Sequence, residues 1–276
     1  MVSQVLSDLT GRLFARRPPK LWFRLLLWSG LLALASAMFC YRLHLDPLPA
    51  RDSAQYLYFA EKIGTSSWRQ VLQTSDDVTL SKPPLLLALL SAAVRCGIDV
   101  RTAGNALMLL SHLLLCTALA LIAEELWHDW RLSASTLLLA AALPLMVRYS
   151  VHILRDPLYW CLAAWTIFWA LRGVNGKNPY LGWLGSAVCC ALAILSRREG
   201  VELVAIIGLY LAFGNWRKAE WPRLLLKKLL TGVAFFAVVT LLVWPVEHKM
   251  AQWGSHWNSG QFSAVSYYWS RLWQVR

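Results

Sequence analysis

Residues 48–84 read LPARDSAQYLYFAEKIGTSSWRQVLQTSDDVTLSKPP. This polar stretch separates one apolar run, residues 25–41, from a chain that is apolar for most of its remaining length. It opens with Arg51 and Asp52 and closes with Lys82, Pro83 and Pro84. The flanking runs approach the roughly 20 apolar residues that a helical membrane span needs. The stretch therefore reads as a loop held at a membrane surface. A carboxylate at one end and a cation at the other make it a candidate beginning of a catalytic site.

Composition agrees. Of 276 residues, 58% are hydrophobic and 15% charged; soluble domains sit near about 45–50% apolar and about 25% charged. Backbone groups in lipid must be satisfied within helices, so the expected class is an all-α, multi-pass integral membrane protein. The net charge of +12 sits in loops, where basic residues set topology, so nucleic acid is not an expected partner. The six cysteines (Cys40, Cys96, Cys116, Cys161, Cys189 and Cys190) lie in or beside apolar segments without a CxxC motif. They imply neither disulfides nor a metal, because buried Cys behaves as a small hydrophobe.

Topology follows from charge. Residues 1–24 carry Arg12, Arg16, Arg17, Lys20 and Arg24 against Asp8, which places the N-terminus in the cytoplasm. A cleaved signal peptide is the rival reading of this start, with Ala35-Ser36-Ala37 as its cleavage-like site. Either way residues 42–102 form a first outer loop. Within it Asp52, Tyr56, Phe59 and Ile63 share one face of a predicted helix, and Trp68 starts a second short turn. The apolar run from Pro83 to Gly97 is too short to cross and is expected to be a juxtamembrane or re-entrant helix. Seven spans are then expected, at 25–41, 103–126, 133–147, 157–171, 181–195, 201–213 and 229–246. This arrangement puts the basic loop 215–228 in the cytoplasm, with Arg217, Lys218, Arg223, Lys227 and Lys228. Residues 247–276 form a Trp-rich tail on the outer side.

Two outer turns, RYSVHILRD (148–156) and SRREG (196–200), carry arginines against the positive-inside trend. Ionisable groups at membrane depth are functional candidates by default. The outer face thus gathers Asp52 and Asp156 with Lys82, Arg155, Arg197 and Arg198. Cations hold and neutralise a leaving phosphate, and a carboxylate acts as general base on an acceptor hydroxyl. That pairing suits transfer from a lipid phosphate. There is no Walker A, GxGxxG, HExxH or DxD motif. No metal ligands are assigned, and a divalent cation is the one cofactor kept open.

These motifs resemble a known family in order and spacing. DSAQYLYFA, from Asp52 through Tyr56 to Ala60, is similar to the D-E-x-x-Y-x-x-x-A stretch of GT-C glycosyltransferases. The nearest subgroups are the family 39-like dolichyl-phosphate-mannose protein mannosyltransferases and the lipid A aminoarabinose transferases. KPPL at Lys82, RDPL at Arg155 and Asp156, and LSRREG at Arg197 and Arg198 resemble further motifs of that family. The resemblance covers roughly residues 20–246, the GT-C-like module. It implies a polyprenyl-phosphate-linked sugar as donor, a lipid, glycan or protein acceptor, and a site outside the cytoplasm, as in a bacterial inner membrane. It implies Asp52 as the catalytic carboxylate, with Lys82, Arg197, Arg198 and Arg155 meeting the donor phosphate and Asp156 and Tyr56 in support. Ser53 departs from the pattern, since a second acid is usual there, and Arg197 stands at a Lys position. The chain also stops about 30 residues after the last expected span, which reads as C-terminally short and leaves room for a partner subunit.

Blander roles stay open for the same residues. Asp52 and Asp156 are also good helix caps, Lys82 can snorkel, and Arg197 and Arg198 can anchor to headgroups. Two other functions stay open for the chain: a non-catalytic lipid-phosphate-binding or assembly subunit of the same fold, and a small transporter or flippase.

Overall fold

The computed structural model describes residues 21–46, 51–74, 84–175, 178–213 and 221–253. Within them the chain is helical and has no strand. In order the helices are α1 (Leu21–Leu45), α2 (Arg51–Thr65), α3 (Trp68–Thr74), α4 (Leu85–Arg95), α5 (Val100–Trp127), α6 (Trp130–Ala142), α7 (Pro144–Ser150), α8 (Arg155–Asn175), α9 (Pro179–Ser196), α10 (Val201–Phe213) and α11 (Trp221–Trp253). A 3-10 turn, Arg198–Gly200, joins α9 to α10.

Local chemistry sets the breaks. Gly97 turns the chain between α4 and α5 with φ +78°, a conformation open to glycine at no steric cost. Asp99 then caps α5, accepting from the Thr102 amide at 2.8 Å and the Thr102 hydroxyl at 2.9 Å. Asp129 caps α6 by accepting from the Arg131 amide at 2.8 Å. The expected span 133–147 is broken into α6 and α7, bent by 59°. The cause is Pro144, which holds Leu143 at ψ 110° and cannot continue the helix.

Among the described residues, length and apolarity single out four helices able to cross a membrane: α1, α5, α9 and Leu230–Lys249 within α11. The bent α6–α7 pair makes five. The sequence predicts two more, and they fall short for separate reasons. In α8, Asp156 and Arg172 bound an uncharged run of 15 residues, 157–171; α10 has only 13 residues. The chain is nonetheless an all-α multi-pass membrane protein. α11 runs past the expected end of its span at residue 246 to Trp253. The rest of the expected Trp-rich tail, residues 254–276, lies outside the described residues.

The helices α2 and α4 form a shelf beside the bundle. Tyr56, Phe59, Ala60 and Ile63 recur at helical spacing on α2 and pack with Leu86, Leu87 and Leu90 of α4 and Met108 of α5. Arg95 of α4 donates to the Ile63 carbonyl at 3.3 Å, covering one of the open carbonyls at the end of α2.

Ion pairs mark one end of the bundle. Arg24, near the start of α1, pairs with Glu124 at the end of α5. Arg172, near the end of α8, lies 3.8 Å from Glu125. At this same end α8 and α9 approach backbone to backbone: a Cβ on Gly182 would stand 2.4 Å from the Gly173 nitrogen. Small residues allow such approaches between membrane helices. Further along the pair, the Ser186 hydroxyl donates to the Thr166 carbonyl at 3.0 Å.

Gly182→Ala is expected to overpack this contact and cost about 1–3 kcal/mol, read as a lower melting temperature in detergent. Gly30→Ala, whose Cβ would meet nothing within 4 Å, is the control and is expected to leave the melting temperature unchanged or slightly raised.

Candidate functional site

The site lies at the other end of α8 and α9. Arg155 and Asp156 are the first two residues of α8, and Arg197 immediately follows α9. The Ser196 hydroxyl donates to the Arg155 carbonyl at 3.2 Å. This bond joins the two helix ends through a buried Ser. Beside it, Arg197 donates to the Asp156 carboxylate. Nε of Arg197 faces the Glu199 carboxylate at 3.1 Å, an ion-pair contact off the line of a hydrogen bond. The guanidinium also lies 5.9 Å from the centre of the Tyr159 ring, within cation–π range. One arginine is thus held by two carboxylates and a ring.

Burial works to raise the Glu199 carboxyl, but its own backbone amide and Arg197 outweigh it and hold the group below its usual range. Glu199 is not among the residues the sequence reading selects. Its signal was within SRREG itself, an acid two residues after Arg197.

The shelf faces this cluster through Tyr56, only 2% exposed. Burial pushes its phenol above its usual range; Arg155 opposes this, Asp52 adds to it and Arg197 opposes it. All three charges therefore lie within electrostatic reach of one hydroxyl, so α2 and the α8–α9 end share a field. Asp52 is exposed on the first turn of α2. It sits inside the helix, which begins at Arg51, where a carboxylate favours the N-terminal dipole. Asp156 likewise lies within the first turn of α8 rather than before it. Ser53 is fully buried, and its hydroxyl has no hydrogen-bond partner among the described residues.

Arg198 opens the 3-10 turn and lies within electrostatic reach of Glu247 near the end of α11. Lys82 falls outside the described residues. Among the described residues no group of three His, Cys, Asp or Glu could hold a metal ion.

The described residues thus form a bundle of apolar helices with a charged cluster at one end and an amphipathic shelf beside it. The family model for dolichyl-phosphate-mannose-protein mannosyltransferases matches residues 81–244, more than half of the chain, and the chain belongs to that family. The match contains Lys82, Arg155, Asp156, Arg197 and Arg198; Asp52 and Tyr56 precede it. No curated protein and no solved structure matches the chain. The protein is accordingly a membrane glycosyltransferase of the GT-C type.

The depressed Glu199 carboxyl has a consequence for stability. A group whose pKa is lower folded than unfolded stabilises the fold above its unfolded value, and that contribution is lost as pH falls through the folded value. Glu199→Gln is expected to lower the melting temperature at pH 7 by about 1–2 °C, the scale of a solvent-screened pair. The difference from wild type should vanish as pH drops below the usual carboxyl value of 4.5. Thermal melts of both proteins across that range check it.

Proposed function

We propose that the protein moves a sugar from a polyprenyl-phosphate donor to a hydroxyl on a lipid, glycan or protein acceptor, on the non-cytoplasmic face of a membrane such as the bacterial inner membrane. The observation that carries this reading is the Asp156–Arg197–Glu199 cluster, which shares the field around Tyr56 with Arg155 and Asp52. Cations and an exposed carboxylate at one membrane face fit a phosphate leaving group and a general base.

Each residue then has a role. Asp52 takes the proton from the acceptor hydroxyl as its oxygen attacks the anomeric carbon. The bond from that carbon to the phosphate oxygen breaks, and the electron pair leaves on the polyprenyl phosphate. Arg197, Arg155, Arg198 and Lys82 neutralise that charge, where preorganised donors are worth most. Asp156 and Glu199 hold the Arg197 guanidinium in one orientation, so it is aimed before the phosphate arrives. Tyr56 supports the site from α2. Attack opposite the phosphate inverts the sugar carbon.

Orientation has its own support. The basic segments 1–24 and 215–228 favour the cytoplasm. Arg24 and Arg172 lie at the end of the bundle opposite Arg155 and Arg197. The site then faces outward, with the donor's lipid tail in the bilayer and its phosphate among the arginines.

Reconstituted into vesicles with a labelled sugar on polyprenyl phosphate, the protein is expected to transfer label to acceptor. Asp52→Asn should reduce turnover by about 10²–10⁴-fold, the usual contribution of a general base, with donor affinity nearly unchanged. Arg197→Ala should instead weaken the donor's apparent affinity. Full turnover in Asp52→Asn would remove Asp52 from its role. Donor binding without turnover in the wild type would favour the non-catalytic lipid-phosphate-binding subunit.

A further inference from the structure

His112 is a buried ionisable residue in the interior of the longest apolar span that the catalytic reading leaves unused. It is 1% exposed and lies on α5. Counted from Val100 at 1.5 Å per residue, it is about 18 Å below the start of that helix. Nδ1 stands 3.1 Å from the Ser150 hydroxyl, which is itself fully buried. Nε2 faces the Cys116 sulfur at 3.9 Å, and Phe39 of α1 covers the ring at a centroid distance of 6.0 Å. α1, α5 and α7 therefore meet at this imidazole.

Ser150 is the last residue of α7. After it the chain leaves regular helix until α8 begins at Arg155. Irregular backbone at membrane depth is tolerated only where protein or water satisfies it. Here the segment is enclosed: Val151 and Ile153 are each 4% exposed and belong to the same packed cluster as Tyr56 and Phe59. Ile153 fills the space over Gly104, where its Cδ1 would stand 2.6 Å from an added Cβ. His112 and Gly104 are two turns of α5 apart, about 12 Å. The segment thus rises along α5 from the level of the imidazole toward the start of the helix. It ends at Arg155, whose carbonyl accepts from Ser196.

We propose that the His112–Ser150 hydrogen bond is the lower pin of this segment, and that His112 is a positioning residue for the transfer reaction. It fixes the end of α7 so that residues 151–154 present Arg155 and Asp156 to Arg197 in register. Ile153 over Gly104 is the second pin and Ser196 on the Arg155 carbonyl the third. The inference rests on the transferase reading of the site. A polar bond in an apolar interior is well suited to the task, because slippage by one turn would leave both partners buried without a hydrogen bond.

The test uses the full chain in lipid vesicles, with two readouts. His112→Ala and Ser150→Ala are expected to lower kcat/KM for transfer by about tenfold or more, since small misplacements of reacting groups are costly. The double variant should be no worse than either single one, because both remove the same bond. His112→Asn, which keeps a hydrogen-bonding side chain, should restore part of the activity. The second readout is the distance between spin labels at Glu61 on α2 and His152 on the segment, with Cys40, Cys96 and Cys189 replaced by Ser. It should be narrow with His112 and Ser150 in place, and broadened in either alanine variant.

Activity and distances unchanged in Ser150→Ala, or losses that multiply in the double variant, would overturn the proposal. If His112→Ala fails to fold, Ser150→Ala and His112→Asn decide the matter in the same way. A wild type without transfer, in which the label distance still broadens on losing the bond, would sink the transferase reading while upholding the pin.

Discussion

A guanidinium at the end of a membrane helix needs a partner, and the pairing of Arg197 with Asp156 supplies it. The two residues are 41 apart in sequence, yet they close one end of the α8–α9 pair. Their pairing, the Ser196–Arg155 bond and the Glu199 contact all sit within a few residues of the two helix ends. The charged side chains are only partly buried, so neither ion pair is strong alone. Together they hold Arg155, Asp156 and Arg197 in one place at that end of the bundle.

The shelf gives that cluster a counterpart. The apolar face of α2 packs on α4 and α5. Tyr56 lies on the seam, buried on its ring and held among charges from both sides. The shelf is fixed by ordinary hydrophobic packing and by the Arg95 bond to the end of α2. A rigid scaffold beneath a charged surface is the arrangement in which preorganised charge acts most strongly.

Much of this was legible in the sequence because membrane helices advertise themselves. The apolar runs placed every long helix, and the spacing of Asp52, Tyr56, Phe59 and Ile63 placed α2. The break at Pro144 is written in the sequence too, but the apolar run around it favours continuity and hides the bend. Arg155, Asp156 and Arg197 stood out as charges in turns that topology alone would leave uncharged. Glu199 did not, since an acid beside two arginines looks like simple charge balance. His112 could not: a single His in an apolar helix gains meaning only from Ser150, which is 38 residues away. Ser53 is a related case, because its full burial comes from packing that its neighbours in sequence do not disclose.

The α8–α9 pair has the outline of a tuning fork whose tips are tied together. Its stem is the contact of Gly173 with Gly182, where the two backbones touch; its tips are Asp156 and Arg197. The stem lies about 25 Å from the tips along α8. Between stem and tips the Ser186–Thr166 bond ties the helices again, and the tips are closed by Ser196 on the Arg155 carbonyl and by Arg197 on Asp156. The spacing of the charges at the tips thus depends on their own bonds and also on residues with no charge at all, at the opposite end of the bundle. Drift in those small residues offers a lineage a way to retune the fit of the charged end while leaving every charged side chain as it was.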